Sequence, residues 1–262
     1  SAEGMDTMIT GKGYTDRGGR EYNEDAGFFS VAGDRGYALM ADGLGGHGGG
    51  DRASRAVADT LKGCIQKWPA EQTLTREAVE EWISRANKTV IGMQTPACRM
   101  KTTLAFLCVD ERAGSACLAH VGDSRIYYFK DGAYQFCTFD HSVSRMAVLA
   151  GEIGWEDIRF HTDRNKLLRA IGKSEEVKAE TKELPMEKNR NHCFLLCTDG
   201  FWEYVTEEEM EETLSAAESP EEWIEKMRAY LEGRAGEGND NNSAIAVWVT
   251  DEKERRKEQT IK

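Results

Sequence analysis

The chain has 262 residues, enough to bury a sizeable core, with 34 Lys plus Arg against 46 Asp plus Glu and a formal net charge of −12. That acidity argues against nucleic acid or an anionic membrane surface as the main partner, because both demand a basic face. No apolar run approaches the ~20 residues of a membrane helix, and the N-terminal stretch lacks a charged-then-apolar signal pattern, so a cytoplasmic protein is expected. The seven cysteines have no regular spacing and read as reduced thiols. Cys193 and Cys197 share one apolar run with no second Cys/His pair, which argues against zinc.

In chain order, residues 1–7 read as a vector remnant or a disordered start. Residues 27–31 and 36–41 read as two strands. Helical spacing of Ala53, Val57, Leu61, Cys64 and Ile65 predicts an amphipathic helix over 51–68. Val79, Trp82, Ile83, Ala86 and Val90 predict a second over 75–93. Short strands follow at 103–109, 115–121, 125–129 and 134–138, the last two joined by the hairpin pair Asp131-Gly132. Residues 142–151 look helical, and 193–197 form an apolar strand. Thr206 with Glu209 is a capping box, and Ser219-Pro220 opens a further helix that stops at Gly233. A strand over 244–249 closes a single domain spanning 8–250, and the nearly all-charged 251–262 reads as a solvated tail. Helices come in pairs rather than one after each strand. The pattern predicts an α+β fold with two largely antiparallel sheets covered by helices.

The informative feature is an Asp-Gly ending an apolar strand, which occurs twice. Asp42-Gly43 follows Tyr37-Ala38-Leu39-Met40-Ala41, and Asp199-Gly200 follows Phe194-Leu195-Leu196-Cys197-Thr198. A hairpin turn accounts for Asp131-Gly132, but a helix rather than a strand follows Asp42 and Asp199. An Asp at the end of a buried strand sheds water at a cost of several kcal/mol, roughly, unless a cation or hydrogen bonds compensate. Asp123 stands in a similar place, Asp240-Asn241 precedes the last strand, and Glu24-Asp25 precedes the first. Carboxylates without matching His or Cys ligands favour hard cations such as Mg²⁺ or Mn²⁺. Gly43-Leu44-Gly45-Gly46-His47-Gly48 fits G-x-G-x-x-G, but a second helix follows the first where a dinucleotide fold needs a strand. The plainer reading is that these glycines let backbone pass close to a bound ion or phosphate.

Taken together these blocks resemble the metal-dependent protein phosphatases of type 2C. Arg20-Glu21-Tyr22-Asn23-Glu24-Asp25 is similar to the family's R-x-x-N-E-D, and Asp42-Gly43-Leu44-Gly45-Gly46-His47 to its D-G-x-G-G-H. Met100-Lys101-Thr102-Thr103 is similar to M-G-T-T, with Lys101 in place of Gly. Val121-Gly122-Asp123-Ser124-Arg125, Asp140-His141-Ser142, Arg164-Asn165, Arg169-Ala170-Ile171-Gly172, Thr198-Asp199-Gly200-Phe201-Trp202 and Asp240-Asn241 follow in the family's order.

The resemblance implies a four-layer αββα sandwich, with two central antiparallel sheets flanked by helix pairs. It implies two Mn²⁺ or Mg²⁺ ions, with a third in bacterial members, and direct attack of a metal-bridging water on phosphoserine or phosphothreonine. By carry-over, Asp42 bridges both ions with help from the Gly43 carbonyl, Asp199 and Asp240 hold the other, and Asp123 with Asp199 forms the weaker third site. Glu24, Asp25 and Asn241 stand outside the direct ligands, where the acids orient metal-bound water. Arg20 binds the substrate phosphate, and Asp42, Asp199 and Arg20 carry the reaction. Animal members have a His directly after the first Asp-Gly. Leu44 stands there, so His47 and a metal-bound water are the alternatives for the general acid. Residues 142–176 fall where the family has a flap beside the active site. Trp155 and His161 lie in it, and either packing or substrate contact accounts for them. The helices over 206–233 read as a solvated outer layer or a docking face.

The expectation is a stand-alone, monomeric bacterial-type Ser/Thr phosphatase acting in signal transduction on phosphoproteins, with a cognate kinase and its targets as partners. Two rival readings are a pseudophosphatase binding module and a phosphatase dedicated to one regulator in a partner-switching system.

Overall fold

A computed structural model describes residues 7–45 and 49–251. His47, residues 1–6 and the tail beyond Asp251 lie outside the described residues. Eleven strands and six α-helices follow in the order β1 (Thr7–Asp16), β2 (Asp25–Ala32), β3 (Arg35–Leu44), α1 (Gly50–Lys67), α2 (Arg76–Met93), β4 (Lys101–Thr102), β5 (Leu104–Asp110), β6 (Ser115–Val121), β7 (Arg125–Lys130), β8 (Ala133–Cys137), α3 (Val143–Leu149), β9 (Glu180–Pro185), β10 (His192–Cys197), α4 (Asp199–Trp202), α5 (Glu207–Ala216), α6 (Pro220–Arg234) and β11 (Asn242–Asp251). A 3-10 turn covers Glu156–Phe160.

The strands form two antiparallel sheets. One has the order β1-β11-β10-β7-β8, the other β2-β3-β5-β6-β9, with the short β4 paired to β3. Alternation along each central strand divides the core into three layers, because successive side chains point to opposite faces. Ala38, Met40, Ala105, Leu107, Phe194, Leu196, Ile245 and Val247 fill the space between the sheets. Tyr37, Leu39, Phe106 and Cys108 point outward onto the apolar faces of α1 and α2. Leu195, Cys197, Ala246 and Trp248 point onto α5 and α6, where Trp223 and Met227 are fully covered. This is the four-layer sandwich expected, with one helix pair on each outer face. All seven cysteines are unpaired thiols. Among the described residues no helix is long and apolar enough to cross a membrane.

Local chemistry accounts for the ends of the elements. Thr75, Ser142, Thr206 and Ser219 each accept a backbone N–H from the first turn of the helix they precede, which satisfies a donor that the helix leaves unpaired. At Thr206 the capping is one-sided, since Glu209 pairs with Arg234 instead of reaching back. Asp131 and Gly132 take φ of 50° and 79°, the positive values a two-residue hairpin turn needs. Besides the two-residue β4, two strands depart from the sequence expectation. β1 carries Gly11 and Gly13, which weaken its apolar pattern. β9, Glu-Thr-Lys-Glu-Leu-Pro, is a half-exposed edge strand with little apolar content.

Trp223 lies edge-on to Phe129, with ring centroids 5.3 Å apart, and is fully buried. Trp223→Ala is expected to cost about 3–5 kcal/mol in urea unfolding. Leu149→Ala, at a position 63% exposed, should stay within ~0.5 kcal/mol. Equal losses would contradict the assignment of the core.

Candidate metal centre

The ends of β3, β6 and β10 converge at one edge of the sandwich, and each delivers an aspartate. Asp42, Asp123 and Asp199 are all buried, and each offers a carboxylate oxygen within 4.8 Å of the other two. Asp25 opens β2 directly opposite Asp42 in the ladder and is also buried.

Backbone pairing fixes the first of these. Asp42 N–H donates to Thr103 Oγ1 at 2.9 Å, and Thr103 N–H donates to the Asp42 carbonyl at 3.0 Å. The Gly43 N–H donates to the Glu24 carbonyl at 2.9 Å. No side chain could stand at Gly43, since a Cβ there would run into the Gly50 carbonyl. One at Gly50 would run into the Glu24 carboxylate. The glycines at 43 and 50 therefore let α1 begin against the strand end.

Asp25 is the most tied of the acids. Its Oδ2 accepts Ser243 Oγ–H at 2.7 Å and Thr198 Oγ1–H at 3.1 Å. Those hydroxyls come from β11 and from the residue before α4, so Asp25 fastens the two sheets together beneath the cluster. Asn241 ties the Arg20 loop in place. Its Nδ2 donates to the carbonyls of Arg17 and Tyr22 at 2.7 and 2.8 Å, and its Oδ1 accepts the Glu24 N–H at 3.0 Å.

Asp240 stands apart from the trio. It is partly exposed, its Oδ1 accepts the Asn241 N–H, and Arg20 Nη2 lies 3.6 Å from the same oxygen. The Arg20 side chain is 57% exposed. Lys101 pairs with Leu44 across β4 and β3, which puts the unusual Lys beside the Asp42 loop. In the flap region, Trp155 lies between the guanidinium groups of Arg125 and Arg145, 4.7 and 4.9 Å from their central carbons. Its surroundings are those of a packing residue. His161 Nδ1 accepts the Asp163 N–H in its own loop.

The cluster is electrostatically unsatisfied. Burial, then the charges of Asp25 and Asp199, raises the Asp42 carboxyl far above the ordinary carboxylate range. Burial and Asp199 do the same for Asp123, against the pull of Arg125. Burial raises Asp199 as well, with Asp240 adding to it. Burial pushes Asp25 up to about 7, opposed by the Ser243 hydroxyl and reinforced by Asp199. Two unit charges about 5 Å apart repel by about 3 kcal/mol at an effective dielectric near 20. Buried oxygens Asp25 Oδ1, Asp199 Oδ1 and Glu24 Oε2 have no hydrogen-bond partner among the described residues. Buried polar atoms are normally paired, so unpaired carboxylate oxygens on Asp25 and Asp199, whose charges act on each other, point to a missing partner. An all-oxygen donor set with excess negative charge fits hard divalent cations such as Mg²⁺ and Mn²⁺, and among the described residues no Cys or His joins the trio.

Residues 12–235 match the protein phosphatase 2C family model. The serine/threonine phosphatase stp of Listeria monocytogenes is 32% identical over 246 residues, covering 89% of this chain and 93% of that protein. The serine/threonine protein phosphatase PstP of Mycobacterium tuberculosis is 32% identical over 234 residues, covering 88% of this chain and 43% of that longer protein. Among solved structures, the catalytic domain of PstP in complex with two manganese ions superposes with a TM-score of 0.78 at 27% identity, covering 94% of this chain and all of that one. By sequence and by fold, the chain belongs to the protein phosphatase 2C family.

Proposed function

We propose that this protein is a metal-dependent protein serine/threonine phosphatase whose ions are held by the strand-end aspartates. The observation that carries the reading is the meeting of Asp42, Asp123 and Asp199, each with a carboxylate oxygen within 4.8 Å of the other two. Family membership, phosphatase relatives and the manganese-bound neighbour support it. Asp42, Asp123 and Asp199 hold the ions, with the Gly43 carbonyl and Asp240 as further oxygens.

Divalent ions held there would acidify bound water and stabilise charge on the phosphoryl oxygens. The remaining work falls to the chain. Asp25, locked by Ser243 and Thr198, fixes the spacing of β2 and β10 beneath the cluster, and Glu24 presents its unpaired oxygen from the neighbouring loop. Arg20 has an exposed guanidinium and only a loose 3.6 Å pairing with Asp240. It is free to grip two phosphate oxygens through its planar fork. Leu44 has no proton to give a departing serine or threonine alkoxide. Phosphoproteins are the substrate class, with a Ser/Thr kinase supplying them in the cytoplasm.

Asp42→Asn should abolish Mn²⁺-dependent hydrolysis of a phosphothreonine peptide, and near-normal turnover would sink the assignment. The same change should stabilise the metal-free protein, because it relieves like-charge repulsion. The sign with pH follows from the raised carboxyls. Between about pH 4, where such groups titrate in the unfolded chain, and the folded value of about 7 for Asp25, the folded state binds more protons. Stability therefore falls as pH rises through that window. In EDTA, the gain from Asp42→Asn should grow from pH 5 to pH 8.5 to about 1–3 kcal/mol by urea titration. A gain independent of pH, or a loss, would contradict it. Arg20→Ala should raise KM for the peptide roughly 10–100-fold, the worth of a charged hydrogen bond. An unchanged KM would remove Arg20 from phosphate binding.

A further inference from the structure

Asp123 is aimed from a weak point in the backbone. The preceding Gly122 has φ of +102°, a conformation that glycine adopts readily and other residues resist. Nothing in its own dihedral preference holds the loop between β6 and β7. His141 holds it from two sides. The His141 backbone N–H donates to the Gly122 carbonyl at 2.9 Å, and the Gly122 N–H donates to His141 Nδ1 at 3.1 Å. Because Nδ1 accepts, the neutral ring carries its proton on Nε2. A Glu180 carboxylate oxygen lies 3.0 Å away to receive it. Burial, followed by the neighbouring His120 ring, pushes the His141 pKa down to about 4, which keeps the ring neutral. The His120 ring stacks on it at 4.5 Å and 8° and is itself fixed, donating from Nε2 to the Phe139 carbonyl at 2.6 Å.

We infer that His141, oriented by Glu180, is a positioning residue for Asp123. It locks Gly122 and so sets the direction in which the Asp123 carboxylate enters the cluster. The inference rests on the metal-dependent reading above.

The same groups invite another interpretation, since ligand atoms of His120, His141 and Glu180 lie within 4.8 Å of one another. Three observations argue against a second metal there. The His120 Nε2 proton is committed to Phe139, and that of His141 to Glu180. The two rings lie face to face instead of converging edge-on. Arg169 Nη1 brings a positive charge to 3.4 Å from His141 Nε2.

The test compares His141→Leu with His141→Asn, whose Oδ1 can still accept the Gly122 N–H, and repeats the Leu change in an Asp123→Asn background. The readouts are kcat and KM for a phosphothreonine peptide, and equilibrium Mn²⁺ binding to the metal-free protein by electron paramagnetic resonance of free Mn²⁺. His141→Leu should lower kcat and the affinity for one bound Mn²⁺ by roughly 10–100-fold, the usual effect of removing a group that orients a ligand. KM should stay within about two-fold. His141→Asn should recover most of both losses. In the Asp123→Asn background the Leu change should cost nothing further, because paired changes acting through one group are not additive. An equal loss in both backgrounds, or unaltered Mn²⁺ binding, would overturn the inference. Should His141→Leu fail to fold, the half-exposed Glu180→Ala must show the same non-additivity with Asp123→Asn, and additivity would overturn it equally. Asp42→Asn serves as the control. If it retained turnover, the underlying assignment of the metal site to the strand-end aspartates would fail, whereas loss there with no effect at His141 would reject only the positioning role.

Discussion

Like-charged carboxylates forced together out of water are the constraint on which this structure turns. Asp25, Asp42, Asp123 and Asp199 come from four different strand ends, three in the β2-β3-β5-β6-β9 sheet or at its edge and Asp199 at the end of β10 in the other. None would stay buried beside the others on its own account, because desolvation and mutual repulsion both oppose it. The antiparallel ladders hold them there. Asp42 is fixed through Thr103, Asp25 through Ser243 and Thr198, and the Asp123 loop through Gly122 and His141. The three apolar layers supply the stability that this arrangement consumes. A site so built is poor for folding and well suited to binding divalent cations.

The two arginines whose charge reaches the trio, Arg125 and Arg164, are engaged by other carboxylates. Arg125 is fully buried two residues from Asp123, yet its guanidinium engages both oxygens of Asp140 at 2.9 and 2.6 Å. Its face lies on the Trp202 ring at 3.6 Å. Trp202 in turn donates its indole N–H to the Asp123 carbonyl. Arg125 thus braces the Asp123 loop without neutralising its carboxylate. Arg164 is likewise committed to Glu203 at 2.7 Å. Arg20 alone of the expected site residues carries positive charge, and it stands exposed beside Asp240. Against a net charge of −12, the cationic character of the site must come mainly from bound metal.

Much of this was legible in the sequence because chemistry at strand ends is local. Asp131-Gly132 formed the hairpin turn, whereas Asp42 and Asp199 did not, and the following helices were enough to separate the two cases. The helix starts at Thr206 and Ser219 follow from residue type and spacing. Other features depended on distant partners. Asp25 read as an acid before a strand and, by resemblance, as a residue outside the direct ligands, but its bonds to Ser243 and Thr198 join positions more than 170 apart in sequence. Asn241 gave no sign that its side chain gathers Arg17, Tyr22 and Glu24. The clamp of His141 on Gly122 spans 19 residues and two loops. β1 and β9 went unread because edge strands need less apolar alternation than the central strands they pair with.

The most direct test of the central claim is anomalous diffraction from crystals of this protein soaked in Mn²⁺. The account predicts at least two manganese peaks among the carboxylates of Asp42, Asp123 and Asp199, with Asp42 contacting more than one. A cluster without manganese, or ordered manganese only at His120, His141 and Glu180, would contradict it.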